Sequence, residues 1–174
     1  MKKVLLTIAL VAVFGFAANA QTDQGGWVVG ASSNLGFSSQ SVDGVDENGS
    51  TFILDVKAGY FLIDNLAGGL NLGYSSIKQV GSEDALNTTE IGLFSRYYFN
   101  GTFYAGLGFD AVSAKFGDGD SVSGTQINIE AGYPIFIGGE TVALEPSLNY
   151  SLGGGDLLED SSTFGVNVGF FLYF

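Results

Sequence analysis

The stretch that decides the fold is Phe164-Gly-Val-Asn-Val-Gly-Phe-Phe-Leu-Tyr-Phe174. Side chains alternate across an extended strand. Phe164, Val166, Val168, Phe170, Leu172 and Phe174 therefore form one face, and Gly165, Asn167, Gly169, Phe171 and Tyr173 form the other. The first face is apolar throughout; the second is mainly small or polar. The stretch also has the length a tilted strand needs to cross the hydrocarbon core of a bilayer, roughly 9–11 residues.

Upstream, the same period of two recurs seven times. The apolar positions are Trp27, Val29, Ala31, Leu35 and Phe37 in 26–38, and Phe52, Leu54, Val56, Ala58 and Tyr60 in 51–62. Segment 66–76 carries Leu66, Gly68, Leu70, Leu72 and Tyr74, and segment 88–99 carries Ile91, Leu93, Tyr97 and Phe99, with Ser95 breaking the pattern. Then come Phe103, Ala105, Leu107, Phe109 and Ala111 in 102–113, and Ile127, Ile129, Ala131 and Tyr133 in 124–136. Segment 141–151 carries Val142, Leu144, Pro146, Leu148 and Tyr150. Pro146 has no N–H to give to a ladder, so a bulge or local irregularity is expected there.

Connections alternate in length. Residues 63–65, Asn100-Gly101 and 137–140 read as tight turns, Asn-Gly being a strong hairpin signal. Longer loops are expected at 39–50, 77–87, 114–123 and 152–162. Short turns at one end, long loops at the other and an even strand number predict an all-β, eight-stranded antiparallel up-and-down transmembrane barrel. Its short turns and both termini would then be periplasmic.

The N-terminus agrees. Lys2-Lys3, an apolar run over 4–17 and Ala18-Asn19-Ala20 read as a cleavable signal peptide over 1–20, leaving a barrel domain over 21–174. The apolar run is too short for a membrane helix, which needs ~20 residues. No Cys is present, so disulfides and lipid attachment through a thiol are excluded. Loss of Lys2 and Lys3 would take the net charge from −12 to −14. So acidic a chain repels phosphate backbones, which argues against nucleic acid as a partner.

A secreted barrel with its apolar face inside is the rival arrangement. The non-apolar face, however, holds Gly30, Gly69, Asn71, Gly92, Gly106, Asn128, Gly132 and Asn149 rather than long charged side chains. A water-facing surface is normally rich in charge, whereas small residues suit the inside of a narrow eight-stranded barrel. Aromatics also sort to the strand ends. Trp27, Tyr60, Tyr97, Phe99, Phe103, Tyr133 and Phe174 lie near the short turns; Phe37, Phe52, Tyr74, Tyr150 and Phe164 lie near the long loops. Two such belts match headgroup-level girdles. The apolar face is therefore expected to point outward, into lipid.

With the strands placed, residues 26–174 resemble the OmpX-like and OmpA-transmembrane-like family of small outer-membrane barrels. Asn167, Gly169, Leu172 and Phe174 resemble that family's C-terminal assembly signal. The resemblance implies an integral protein of a Gram-negative outer membrane, delivered by periplasmic chaperones and recognised by the barrel-assembly machinery. Outer-membrane lipids and lipopolysaccharide are its expected surroundings, and a monomer is the expected state.

Seven charged residues fall on the inward face: Asp55, Lys57, Glu90, Arg96, Asp110, Glu130 and Glu145. Unpaired buried charge is costly, so Arg96 and Lys57 are expected to pair with some of the carboxylates. The favoured reading is a salt-bridge plug; the alternative is a narrow, weakly cation-selective path. Either way, some carboxylates lack a cation and are expected to be hydrated or protonated. Catalysis is not expected. Related barrel enzymes resemble one another in using a histidine, and this chain has none. No cofactor or metal is called for.

Asp43, Asp46, Glu47, Glu83, Asp84, Asp118, Asp120, Asp156, Glu159 and Asp160 crowd the long loops. They read as solvated surface. A sharper reading is contact with lipopolysaccharide phosphates bridged by divalent cations, or with a surface ligand. Gly117-Asp-Gly-Asp120 lacks the spaced ligands and closing Glu of a calcium loop. The expected role is structural or surface-interactive.

Overall fold

The computed structural model describes residues 22–32, 35–42, 44–99, 103–137, 139 and 141–174. The signal-peptide reading, Asn34, Asp43, the Asn100-Gly101 turn, Gly138 and Glu140 fall outside these residues. The strands are β1 (Trp27–Ser32), β2 (Gly36–Gln40), β3 (Gly49–Ile63), β4 (Leu66–Lys78), β5 (Ala85–Phe99) and β6 (Phe103–Phe116). They continue as β7 (Ser121–Gly132), β8 (Ile135–Phe136), β9 (Val142–Gly154) and β10 (Ser162–Tyr173). Each pairs antiparallel with its neighbour, and β1 closes the circle by pairing with both β3 and β10.

Ten strands make eight staves, because two staves are interrupted. β1 and β2 form the first; their pairing sums with β3 differ by two residues, as Ala31 faces Val56 but Gly36 faces Ile53. An even insertion keeps the side-chain parity, whereas a slip of one would turn each later residue to the other face. Phe37 accordingly stays outside. β7 and β8 form the sixth stave, broken at Tyr133 and Pro134.

That break refines the expectation at Pro146. β9 itself is continuous, and Pro146 faces Val168 in regular register. Its missing N–H is felt on the other side, where Tyr133 N–H donates to the Pro146 carbonyl at 3.1 Å but receives nothing back. The irregularity lies on the neighbouring stave, directly opposite the proline.

The strands run further at the long-loop end than the alternation suggested. Connections 41–48, 79–84, 117–120 and 155–161 are eight, six, four and seven residues long. The β3–β4 turn at the other end has two residues, with Asn65 at φ 66. The loop asymmetry is therefore weaker than expected, and 117–120 is a turn rather than a long loop. Polar residues at the strand ends carry no apolar alternation, yet cross-strand pairing holds them in the ladder.

Outward positions carry the apolar side chains, with Leu93 62%, Leu107 60% and Val166 68% exposed. In water such a surface would aggregate; inside a bilayer it is solvated. Both aromatic belts form real contacts. Trp27 lies 5.2 Å from Tyr60 and Phe99 stacks on Phe103 at 4.7 Å, while at the opposite end Phe52 meets Tyr74 at 6.0 Å. Between Phe174 and Phe164, ten residue steps span about 33 Å along the strand. Tilted by ~45°, that reaches about 23 Å in height, close to the ~25 Å apolar band of such barrels.

Candidate functional site

The lumen has three layers, stacked from the short-turn end. The lowest is dry. Val28, Phe61, Ala67, Tyr98, Tyr104, Ala143, Phe171 and Tyr173 form one buried cluster, with Phe136 packed against it. Tyr98 sits 5.4 Å from both Phe61 and Tyr104, and Phe136 sits 5.2 Å from Tyr173. These residues have inward parity, although their apolar character departs from the small and polar residues of the rest of that face. A change of inward residues from small to aromatic near the tight turns was the available signal.

The second layer is the ion-pair network. Arg96, 2% exposed, donates through Nε to Glu130 at 2.6 Å and through Nη1 to Glu145 at 3.0 Å. Its guanidinium carbon lies 4.3 Å from the centre of the Tyr104 ring and 4.7 Å from that of Phe171. Lys57 reaches the second oxygen of Glu130 at 2.8 Å. Glu145 also accepts from the Tyr173 hydroxyl, which lies 3.1 Å from that of Tyr98. Four of the seven predicted charges thus form one knot, seated on the aromatic layer.

Register explains how such large groups share a narrow lumen. Glu130 faces Gly106, which also faces Arg96; Asp110 faces Gly92; Tyr104 faces Gly132; and Phe171 faces Gly30. A Cβ on Gly106 would come within 2.8 Å of Glu130 Cγ and Oε1. Each long side chain lies across a partner that lacks one, which is close packing achieved by alternating large and small.

The third layer is open and polar. Asp55, Glu90 and Asp110 line or adjoin a cavity of about 190 Å³ above the knot, and none of the three has a cationic partner among the described residues. Asp110 is held by Asn71 Nδ2 at 2.5 Å and by Asn128 Nδ2, and Asn71 also donates to Glu90 at 3.3 Å. Three lumen carboxylates thus stand without an ion-pair partner among the described residues. Among the described residues, no group of three His, Cys, Asp or Glu side chains is arranged to hold a metal ion.

Asn167 and Gly169 line the same cavity, on β10, while Leu172 lies in the outward series. The loop acids among the described residues lie in the connections, and Lys78 pairs with Glu47 at 2.6 Å.

No family model and no curated protein matches the chain. Solved structures do. Ail of Yersinia pestis in a phospholipid bilayer nanodisc matches with a TM-score of 0.53 at 15% identity, over 87% of this chain and 100% of that one. The N-terminal β-barrel domain of Pseudomonas aeruginosa OprF matches with a TM-score of 0.48 at 18% identity, over 87% and 98%. A loop-deletion mutant of the Vibrio cholerae outer membrane protein OmpT matches at 0.42 and 14% identity, over 84% of this chain but only 49% of that one, so this chain spans about half its length. The similarity to Ail is one of fold, and the fold is that of the small eight-stranded outer-membrane β-barrels.

Proposed function

We propose that the chain is a non-enzymatic integral protein of a bacterial outer membrane, with a structural or surface-interactive role. The observation that carries this reading is the pairing of an apolar, aromatic-girdled outside with a lumen packed shut at its short-turn end. The outside calls for lipid; the closed lumen leaves the barrel no continuous path. The loop acids give it an anionic rim suited to divalent cations that bridge to lipopolysaccharide phosphates. Absence of histidine, and the engagement of Glu130 and Glu145 by Arg96, Lys57 and Tyr173, support a non-catalytic role.

Asn167, Gly169, Leu172 and Phe174 would serve as the signal read by the barrel-assembly machinery. The second reading, a weakly cation-selective channel, is favoured by the three carboxylates without cations and opposed by the aromatic layer beneath them. Membrane fractionation with gel migration of boiled and unboiled samples tests the assignment. Outer-membrane recovery and a heat-dependent shift are expected; a periplasmic protein with unchanged migration would refute it.

A further inference from the structure

Besides the break at Tyr133 and Pro134, pairing among the described residues stops short along the upper half of β10. β10 runs beside β9 from Ser162 to Leu172, whereas among the described residues its register with β1 runs from Gly169 to Tyr173. β2 pairs with β3, and among the described residues no pairing joins β2 to β10. Trp27 and Phe174 exchange backbone hydrogen bonds. Alternation along the strand then turns the backbone groups of Val166 and Phe164 toward this seam. The three most exposed large apolar side chains among the described residues all flank it: Phe37 at 72%, Val166 at 68% and Phe164 at 66%. A Cβ on Gly165 would meet nothing within 4 Å.

Phe37 and Phe164 lie at the girdle, so Val166 is the backbone that enters the apolar band, where an unpaired group is tolerated only if it is buried in protein or lines a wet cavity. Such a cavity lies beside the seam, since Asn167 and Gly169 of β10 line it. At about 190 Å³ it has room for about six waters, at ~30 Å³ each. Its far wall carries Asp55 and Glu90, with Asp110 held by Asn71 and Asn128 behind them. Lys57, the nearest cation, is engaged by Glu130. Asn71 lines the cavity at 6% exposure, and its Oδ1 is the one buried side-chain nitrogen or oxygen among the described residues without a hydrogen-bond partner. An acceptor without a donor, beside uncompensated carboxylates, fits a ligand with a cationic N–H group.

We propose that cavity and seam together bind a cationic amphiphile from the surrounding leaflet. Its ammonium group sits between Asp55 and Glu90 beside Asn71 Oδ1, with the Asp110 charge behind them. Its chain leaves through the seam, between Phe37 and the Phe164–Val166 edge. The packed aromatic layer below makes this a blind site rather than a passage. The inference rests on the membrane reading above, and heat-dependent gel migration of the same preparation tests that reading separately.

The test uses the full barrel in phospholipid nanodiscs with radiolabelled dodecylammonium, subtracting partition into empty nanodiscs. Saturable one-to-one binding is expected, with dodecanol, dodecanoate and methylammonium each at least about tenfold weaker. The triple variant Asp55→Asn, Glu90→Gln, Asp110→Asn should weaken binding about tenfold or more. So should Gly165→Trp, which fills the seam from inside without altering charge. Both variants should keep heat-dependent migration. Non-saturable uptake, equal binding of dodecanol, or insensitivity to the carboxylate variant would overturn the site. Methylammonium binding as tightly as dodecylammonium would overturn the role of the seam. Loss of heat-dependent migration in the unaltered protein would instead overturn the membrane reading itself.

Discussion

Replacing Arg96 by Met tests the packed knot at its centre. Arg96 is 2% exposed and bonds two carboxylates that are themselves 6% and 0% exposed. Unit charges about 4 Å apart attract by about 4 kcal/mol at an effective dielectric near 20. Two such pairs give a gross attraction of about 8 kcal/mol, set against a desolvation cost of several kcal/mol per ion. The intact network is therefore near balance. Removing only the arginine keeps the cost of burying the acids and deletes the attraction, so the loss should be about 3–5 kcal/mol.

Glu130 retains Lys57 at 2.8 Å, so Glu145 is the acid left stranded, with the Tyr173 hydroxyl as its remaining donor. Arg96→Met combined with Glu145→Gln should accordingly recover at least about half of the loss, a coupling that a double-mutant cycle isolates. Urea unfolding of vesicle-inserted protein, followed by fluorescence of the single tryptophan Trp27, measures it. The reasoning fails if Arg96→Met costs less than about 1 kcal/mol, or if adding Glu145→Gln brings no recovery.

Other consequences are simpler. Leu93 is 62% exposed in the middle of the apolar band, and Leu93→Arg should cost about 2–4 kcal/mol in the same unfolding assay. Gly69→Ala would drive a methyl into the Ala58 carbonyl and the Gly59 Cα, both backbone, and should cost about 1–3 kcal/mol, whereas Gly165→Ala meets open space and should stay within about 0.5 kcal/mol. Tyr173→Phe removes a donor to buried Glu145 and should cost about 1–3 kcal/mol by urea titration. Deleting Phe174 should lower the amount of folded barrel in the outer membrane, read by fractionation, while leaving export from the cytoplasm intact.

The outward face was legible because lipid imposes one requirement at each second residue, and Phe164 through Phe174 satisfy it without exception. The knot was legible too, since only two inward cations were available to five inward acids. What stayed hidden depends on register. Gly106 opposite Glu130 and Gly92 opposite Asp110 are ordinary small residues until the ladder sets them against a long side chain. The aromatic layer was obscured for a related reason: Phe171 and Tyr173 look out of place on a polar face until Gly30 and Glu145 are brought beside them. The seam lies outside any periodic pattern, because β2 keeps the correct parity while losing its partner on one side.

Planar-bilayer recording of the purified, folded barrel tests the central claim most directly. The aromatic layer and the Arg96 knot predict a silent membrane, without steady unitary steps at either polarity. Steady cation-selective openings, altered when Arg96 or Lys57 is neutralised, would contradict a closed lumen.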